Sequence, residues 1–267
     1  MDRLGDLMYK YGFIGAGNMG GALANALIDK SELAVSNRTE EKGRALADKL
    51  GCKYTTNEDI AENAHFVVLA VKPQVLPDLM PTLKTALLRN SCPVLVTMAA
   101  GVKSNTLSDT LPVIRIMPNT PVSIGAGVIL ICRNDKVSDQ DFETFINDFQ
   151  GAGNIIKIDE NLIDAASVIS GCGPAYIYMF MDALARAGES LGLDYDTAAD
   201  LAMATAKGSA ALAQSSSDSL DELRIKVCSP GGSTIEGVKS FQSDDLDGVV
   251  KDALTAAYNR TIELSNS

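Results

Sequence analysis

The sequence predicts an α/β fold on three observations: strand-length apolar runs alternate with helical patterns up to about residue 158, a glycine-rich turn joins the first run to the first helix, and beyond Asp159 only helical periodicity remains. The first part, 1–158, then reads as a doubly wound sheet of the Rossmann type, and the second, 159–267, as an all-α domain.

The first unit of structure lies between Tyr11 and Gly20. Tyr11-Gly-Phe-Ile14 is a buried-strand run, Gly15-Ala16-Gly17-Asn18-Met19-Gly20 is a Gly-x-Gly-x-x-Gly turn, and residues 21–29 form a helical stretch. Gly15 permits the tight turn, Gly17 lets the backbone approach a pyrophosphate, and Gly20 lets the helix pack close on the strand, with the helix N-terminus facing the phosphates. The strand-turn-helix setting is the context this motif requires, so Ile14 through Gly20 are expected to bind a dinucleotide.

A second strand over 33–36 ends in Ser36-Asn37-Arg38-Thr39, where an NAD enzyme usually carries an acidic residue for the ribose 2′-OH. Hydroxyl and amide donors with a guanidinium suit a 2′-phosphate, which a carboxylate would repel. NADPH is therefore expected, with NADH as the alternative. A helix over 40–50 and a strand over 53–55 follow.

The strand over 66–70 runs into Ala70-Val71-Lys72-Pro73, and after a helix over 76–88 the strand over 94–97 runs into Met98-Ala99-Ala100-Gly101. Carboxyl ends of strands in such a sheet face the ligand crevice, so Ala70, Val71, Lys72, Pro73, Ala99 and Ala100 are expected along the nicotinamide half of the cofactor. Lys72 has the chemistry of a general acid, but a solvated lysine or one bonding a backbone carbonyl is the preferred reading. The strand over 113–117 leads into the stiff polar bend Pro118-Asn119-Thr120-Pro121. Strands over 128–132 and 155–158 enclose a helix over 140–149, and their short connections suit a mixed sheet at that edge.

Beyond Asp159 small residues recur along the helices, among them Ala183, Ala187, Gly188, Ala202, Ala206, Gly208 and Ala210, and permit close backbone approach. So many apolar faces need covering that interlocking with the same domain of another subunit is expected over a monomeric bundle. Ser219-Leu-Asp-Glu222 has the capping-box pattern and should start a helix running to about Val227. Ser229-Pro230-Gly231-Gly232-Ser233-Thr234 then interrupts before another helix from Ile235. Two glycines beside two hydroxyls at a helix N-terminus suit an anion such as a carboxylate, and a plain proline-glycine turn is the other reading.

Composition narrows the chemistry. With 46% apolar residues the chain can bury a substantial core, while a formal charge of −11 disfavours nucleic acid and anionic membrane as partners. No apolar run approaches the roughly 20 residues of a bilayer span, and Asp2 and Asp6 precede Lys10 without a signal-peptide core. Cys52, Cys92, Cys132, Cys172 and Cys228 lack paired spacing, so neither a metal site nor a disulfide framework is expected and a reduced cytoplasm is the simplest home. The single histidine, His65, reads as the exposed beginning of a strand. Histidine-dependent hydrolysis and histidine-rich metal sites are poorly supplied.

Phe13-Ile-Gly-Ala-Gly17, Ala70-Val-Lys-Pro73, Ala99-Ala-Gly101, Met117-Pro-Asn-Thr-Pro121, Gly171-Cys-Gly-Pro-Ala-Tyr176 and, most specifically, Val227-Cys-Ser-Pro-Gly-Gly-Ser-Thr234-Ile together resemble the pyrroline-5-carboxylate reductases over nearly the whole chain. The resemblance implies NADPH-dependent reduction of the cyclic imine 1-pyrroline-5-carboxylate to L-proline, the last step of proline biosynthesis. It implies that Ser229, Gly231, Gly232 and Ser233 hold the substrate carboxylate, that Thr234 sits at the ring nitrogen as the catalytic hydroxyl, that Asn119 joins the substrate residues, and that Asn57 joins the cofactor residues. A homodimer through the helical domain, and larger rings of dimers, are implied as well. Cys172 departs from the family's usual Ser, Cys228 from a frequent Thr, Ser219-Leu220 from a common His-Pro pair, and Lys226 from a frequent neutral amide.

A protonated cyclic imine is already an electrophile and needs little acid–base machinery, which agrees with a chain holding one histidine. Two rivals are less well served. A β-hydroxyacid dehydrogenase would carry a lysine on the first long helix after Gly173, where Ile177-Tyr-Met-Phe-Met-Asp-Ala-Leu184 has none. A non-catalytic NADP-binding regulator would need the glycine turn but not the 229–234 loop. Cys172, with no histidine nearby in sequence, is expected to serve helix packing.

Overall fold

The computed structural model describes residues 7–265, so Asp2 and Asp6 lie outside the described residues. The chain divides into two units: one ends at Cys172, the other spans Gly173–Ala256, and the last turns of the C-terminal helix group with the first.

In the first unit the elements follow as β1 (Tyr9–Ile14), α1 (Asn18–Ala26), β2 (Leu33–Ser36), α2 (Glu40–Leu50), β3 (Lys53–Tyr54), α3 (Asn57–Asn63), β4 (Ala64–Leu69), α4 (Leu76–Arg89), β5 (Val94–Thr97), α5 (Ser104–Leu107), β6 (Val113–Pro118), β7 (Gly127–Arg133), α6 (Asp139–Asp148), β8 (Gly153–Lys157) and α7 (Glu160–Ser170). The eight strands form one sheet in the order β3-β2-β1-β4-β5-β6-β7-β8. Only the β6–β7 pair is antiparallel, so the sheet is mixed at the expected edge.

Both faces of the sheet are covered, which is why its strands read as continuous apolar runs. In β4, Phe66 and Val68 enter the core beneath α1, α2 and α6 with Leu23, Ala47 and Phe145, while Val67 and Leu69 enter the core beneath α3 and α4 with Ile60 and Leu83. Successive side chains of a strand point to opposite faces, so one short segment feeds two cores. The first core is aromatic at its centre: Tyr11 stacks on Phe66 with ring centroids 4.8 Å apart and meets Phe149 edge-on.

Three features differ from expectation. Helix α3 follows directly from β3, started by Thr56, whose side chain accepts from the Asp59 N–H. Second, His65 is not at an exposed strand start: it is 6% exposed, inside β4, with a carboxylate partner on α6. Third, the first unit runs beyond residue 158. Helix α7 packs Ile163 against Leu130 and Cys132, and the fully buried Arg115 of β6 pairs with Asp164 at 2.5 Å while Glu160 accepts from the Ser104 N–H and hydroxyl. One helix is thereby tied to β6 and α5 by charge-assisted hydrogen bonds.

The second unit contains α8 (Gly173–Ser190), α9 (Tyr195–Ser215), α10 (Leu220–Lys226), α11 (Ser233–Ser243) and most of α12 (Leu246–Ser265). Small residues bring α8 and α9 together as expected: a Cβ on Gly188 would stand 2.9 Å from that of Ala198, and Ala185, Ala198 and Ala202 are buried. Much else stays outside. Ile177, Met179, Phe180, Leu201 and Met203 are exposed on these two helices. The stretch Glu160–Ser190 reaches a mean hydropathy of 1.2, long and apolar enough to cross a membrane by length and composition; it is broken at Gly171–Cys172 between α7 and α8.

Candidate functional site

Four strand ends define one edge of the sheet. Ile14 of β1 pairs with Ser36 of β2 and with Leu69 of β4, and Leu69 pairs with Thr97 of β5, so all four stand in one row. From β1 the chain proceeds outward to β2 and β3, and from β4 it proceeds the other way, so the loops part between β1 and β4. This is the switch point at which such sheets bind ligands. The segments Gly15–Gly20, Asn37–Arg38, Ala70–Pro73 and Met98–Gly101 all begin immediately beyond that row.

The glycine turn is built for close approach. Gly15 has φ +101°, and a Cβ there would lie 2.5 Å from the Ala70 carbonyl oxygen; a Cβ on Gly20 would lie 2.4 Å from the Gly15 carbonyl oxygen. At Gly17, by contrast, nothing lies within 4 Å of the Cβ position. Two bonds to the Ser36 carbonyl, from the Gly15 and Ala16 N–H groups at 3.0 and 3.1 Å, fasten the turn to β2. Helix α1 starts after Gly17 without a side-chain cap, leaving first-turn N–H groups with no acceptor in their own helix. Backbone donors, a helix dipole and room for a group at Gly17 fit a pyrophosphate.

Beside this turn lies a cleft of about 460 Å³ bounded by Ser36, Asn37, Glu40, Arg44, Tyr54 and Asn57. Ser36 is 2% exposed and its hydroxyl donates to the Asn57 Oδ1 at 2.6 Å, so the structure brings these two expected residues together. Arg38 is exposed at the start of the loop and does not line the cleft. Arg44, which sequence reasoning missed, does. Its guanidinium lies 4.8 Å from the Tyr54 ring centroid and pairs with Glu40 at 2.7 Å. The available signal was the Glu40–Arg44 spacing on the first turns of α2, which places both side chains on one face.

On the other side of the switch point, Ala70 donates its N–H to the Ile14 carbonyl at 2.8 Å and so continues the β1–β4 ladder by one bond. Val71 and Pro73 are half-buried and the Lys72 side chain is exposed, in line with a solvated lysine. Ala99 is buried and its N–H donates to the Thr97 hydroxyl at 3.2 Å; Ala100 is half-buried. Asn119, 7% exposed, spends its amide within the fold, donating to the Ser170 carbonyl at 2.9 Å and accepting from the Val128 N–H at 2.8 Å.

In the second unit, the capping box forms as expected: the Ser219 hydroxyl accepts from the Glu222 N–H while the Glu222 carboxylate accepts from the Ser219 N–H, which holds the Glu222 carboxyl below its ordinary range. Helix α10 ends at Lys226, which bonds Asp218 at 2.5 Å. Gly231 then takes φ +72°, where side chains are rarely tolerated. Gly232 donates its N–H to the Ser229 carbonyl at 3.0 Å and caps α11, which starts at Ser233, two residues before the expected Ile235, and has no side-chain cap. A Cβ on Gly232 would sit 2.5 Å from the Ser229 hydroxyl oxygen. Ser229, Ser233 and Thr234 are exposed beside this helix start. The Gly232 N–H is thus engaged inside the loop, and α11 opens at Ser233 without a side-chain acceptor for its first-turn N–H groups.

Two family models match the chain. Residues 10–101 match the family model for NADP oxidoreductases, coenzyme F420-dependent, and residues 160–264 match that for pyrroline-5-carboxylate reductase dimerisation. The pyrroline-5-carboxylate reductase of Pseudomonas aeruginosa is 35% identical, over 95% of this chain and 96% of that protein. Among solved structures, that of the Coxiella burnetii pyrroline-5-carboxylate reductase has a TM-score of 0.89 at 34% identity, covering 97% of this chain and 100% of the other. The Plasmodium falciparum pyrroline carboxylate reductase with NADP bound has a TM-score of 0.85 at 30% identity, covering 97% and 99%. The chain belongs to the pyrroline-5-carboxylate reductase family.

Proposed function

We infer that this protein is an NADPH-dependent oxidoreductase that reduces 1-pyrroline-5-carboxylate to L-proline, the last step of proline biosynthesis. The observation that carries this reading is the joint presence, in one chain of that family, of an open glycine turn at the sheet's switch point and of the Ser229–Thr234 loop ahead of an uncapped helix. When bound, NADPH supplies the hydride.

The chain's own residues then have separable tasks. Ile14 through Gly20 hold the pyrophosphate on backbone donors. Ser36, Asn37, Arg38 and Asn57 hold the adenosine side, and Arg44 adds a second guanidinium for the 2′-phosphate, with the Tyr54 ring fixing its plane. Ala70 through Pro73 with Ala99 and Ala100 form the wall for the nicotinamide half. At the start of α11, the N–H groups of Ser233 and its successors receive the substrate carboxylate while Gly231 and Gly232 shape the approach, and the Thr234 hydroxyl bonds the ring nitrogen. With its amide engaged on both atoms, Asn119 acts by shaping its loop. The helical unit pairs with its copy in a homodimer, and rings of dimers are the larger assembly; a cytoplasmic enzyme of this kind needs no other partner.

The direct test is loss of NADPH absorbance with 1-pyrroline-5-carboxylate, beside NADH and a panel of 3-hydroxyacids with NADP. Imine-dependent oxidation that favours NADPH is expected. A folded, NADPH-binding protein inactive on the imine but active on a hydroxyacid would replace this reading with a dehydrogenase, and inactivity on both would leave a regulator.

A further inference from the structure

A chain of three reactive side chains stands at the opposite, amino-terminal end of the sheet. Cys92 lies in the loop just ahead of β5, His65 is the second residue of β4, and Asp141 is in the first turn of α6. The Cys92 Sγ is 3.6 Å from the His65 Nδ1, and the His65 Nε2 is 2.8 Å from the Asp141 Oδ1. Each member is held from behind. The Ser138 hydroxyl donates to the Asp141 Oδ2 at 2.7 Å, the imidazole meets Phe66 edge-on with centroids 4.5 Å apart, and the Cys92 N–H donates to Asn90, whose amide donates to the carbonyls of Ala61 and Ala64.

A carboxylate only accepts, so the bond to Asp141 makes Nε2 the protonated ring nitrogen and leaves the Nδ1 lone pair facing the thiol. The order nucleophile, base, orienting carboxylate is the arrangement that activates a cysteine. We propose that Cys92 is a hydroperoxide-reactive thiol, with His65 as its base and Asp141 as the residue that orients and charge-balances the imidazole. Sulfur attacks the terminal peroxide oxygen as its proton passes to Nδ1. The S–O bond forms while the O–O bond breaks, and the proton is handed on to the departing oxygen. The products are a sulfenic acid and an alcohol, or water from hydrogen peroxide; sulfur is oxidised by two electrons and the peroxide reduced by two.

The other cysteines lack this setting. Burial pushes the Cys132 thiol up to about 12 and also raises that of Cys52. Like Cys52, Cys172 and Cys228, Cys92 is only half-buried, which leaves a small oxidant a route, so its neighbours rather than its access set it apart. The three residues stand at the end of the sheet opposite the glycine turn, so their replacement is expected to leave imine reduction in place.

The intact protein is treated with hydrogen peroxide in the presence of dimedone, and adducts at the five cysteines are quantified by mass spectrometry. Cys92 is expected to label first, and His65→Gln to slow it at least about tenfold with NADPH-dependent turnover unchanged. Asp141→Asn, which keeps a hydrogen-bonding group but removes its charge, is expected to slow it as well, and serves if His65→Gln fails to fold. Because His65 is the only histidine, its ring nitrogens give unambiguous NMR signals, and the Nε2–H tautomer is expected. Labelling spread evenly over the half-buried thiols, an undiminished rate in a folded variant, or an Nδ1–H tautomer would each overturn the proposal.

Discussion

Arg38 is exposed just after β2 and Arg44 lies on α2, but only Arg44 reaches the cleft shared with Ser36 and Asn57. Replacing Arg38 by Asp should lower the preference for NADPH over NADH, and Arg44→Ala should do so as well, each by about tenfold or more if a charged hydrogen bond to the 2′-phosphate is lost. Equal cofactor selectivity in the Arg38 variant would remove that residue from phosphate recognition. Thr234 is testable apart from the cofactor. Its exposed hydroxyl at the first turn of α11 predicts a loss in kcat/KM of about ten- to a hundredfold in Thr234→Ala, with NADPH affinity unchanged; unaltered turnover would take it out of the mechanism. At this scale the sequence was readable where the backbone itself does the work, as at the tight turn of Gly15 and the close packing of Gly20. It was least readable for side chains whose role depends on a partner far along the chain. His65 looked exposed because its partner Asp141 is 76 residues away, and Arg44 went unmarked because the Tyr54 ring that positions it belongs to another element.

Elements meet at points where one atom more or one proton more matters. The Gly20 Cβ position lies 2.4 Å from backbone oxygen and 2.7 Å from the Ala70 Cβ, neither of which can swing aside. Gly20→Ala should therefore push α1 off β1, costing about 1–3 kcal/mol of stability and weakening NADPH binding, as thermal melts and cofactor titration would register. Asp59 ties β1, β3 and α3. Burial pushes its carboxyl up, but hydrogen bonds from the Thr55 and Tyr9 hydroxyls and Asn63, with Lys53 nearby, outweigh this and hold it below its ordinary range. A carboxyl lowered in the folded state adds stability that is present above its unfolded pKa and lost as pH falls through the folded one. The gap in Tm between the wild type and Asp59→Asn should accordingly be largest near neutrality and shrink on acidification; a gap independent of pH would contradict this assignment.

For the molecule as a whole, the contrast between the two units decides the physical state. The first buries continuous apolar strands on both faces of its sheet. In the second, α8 and α9 bury chiefly alanines and leave Ile177, Met179, Phe180, Leu201 and Met203 exposed, more apolar surface than a lone bundle sheds to solvent without covering it. These residues lie in the stretch that matches the family's dimerisation model, so a second copy is the cover expected for them. Sedimentation should therefore give at least a dimer, and the Tm should rise with protein concentration; a monomer whose Tm ignores concentration would show that the helical unit covers itself in another way. By itself, the sequence determined the strand–helix alternation, the glycine turn, the change of texture after Asp159 and the α11 loop, because periodicity and backbone permissiveness are local properties. Only the tertiary structure decided that α7 stays with the sheet, held by Arg115 between Asp164 and Glu160, and that Arg44 lines the cleft with Ser36 and Asn57. It alone brought Cys92, His65 and Asp141 into one line. Such contacts join residues distant in the chain, and no local pattern encodes which charge will find which partner once the sheet closes.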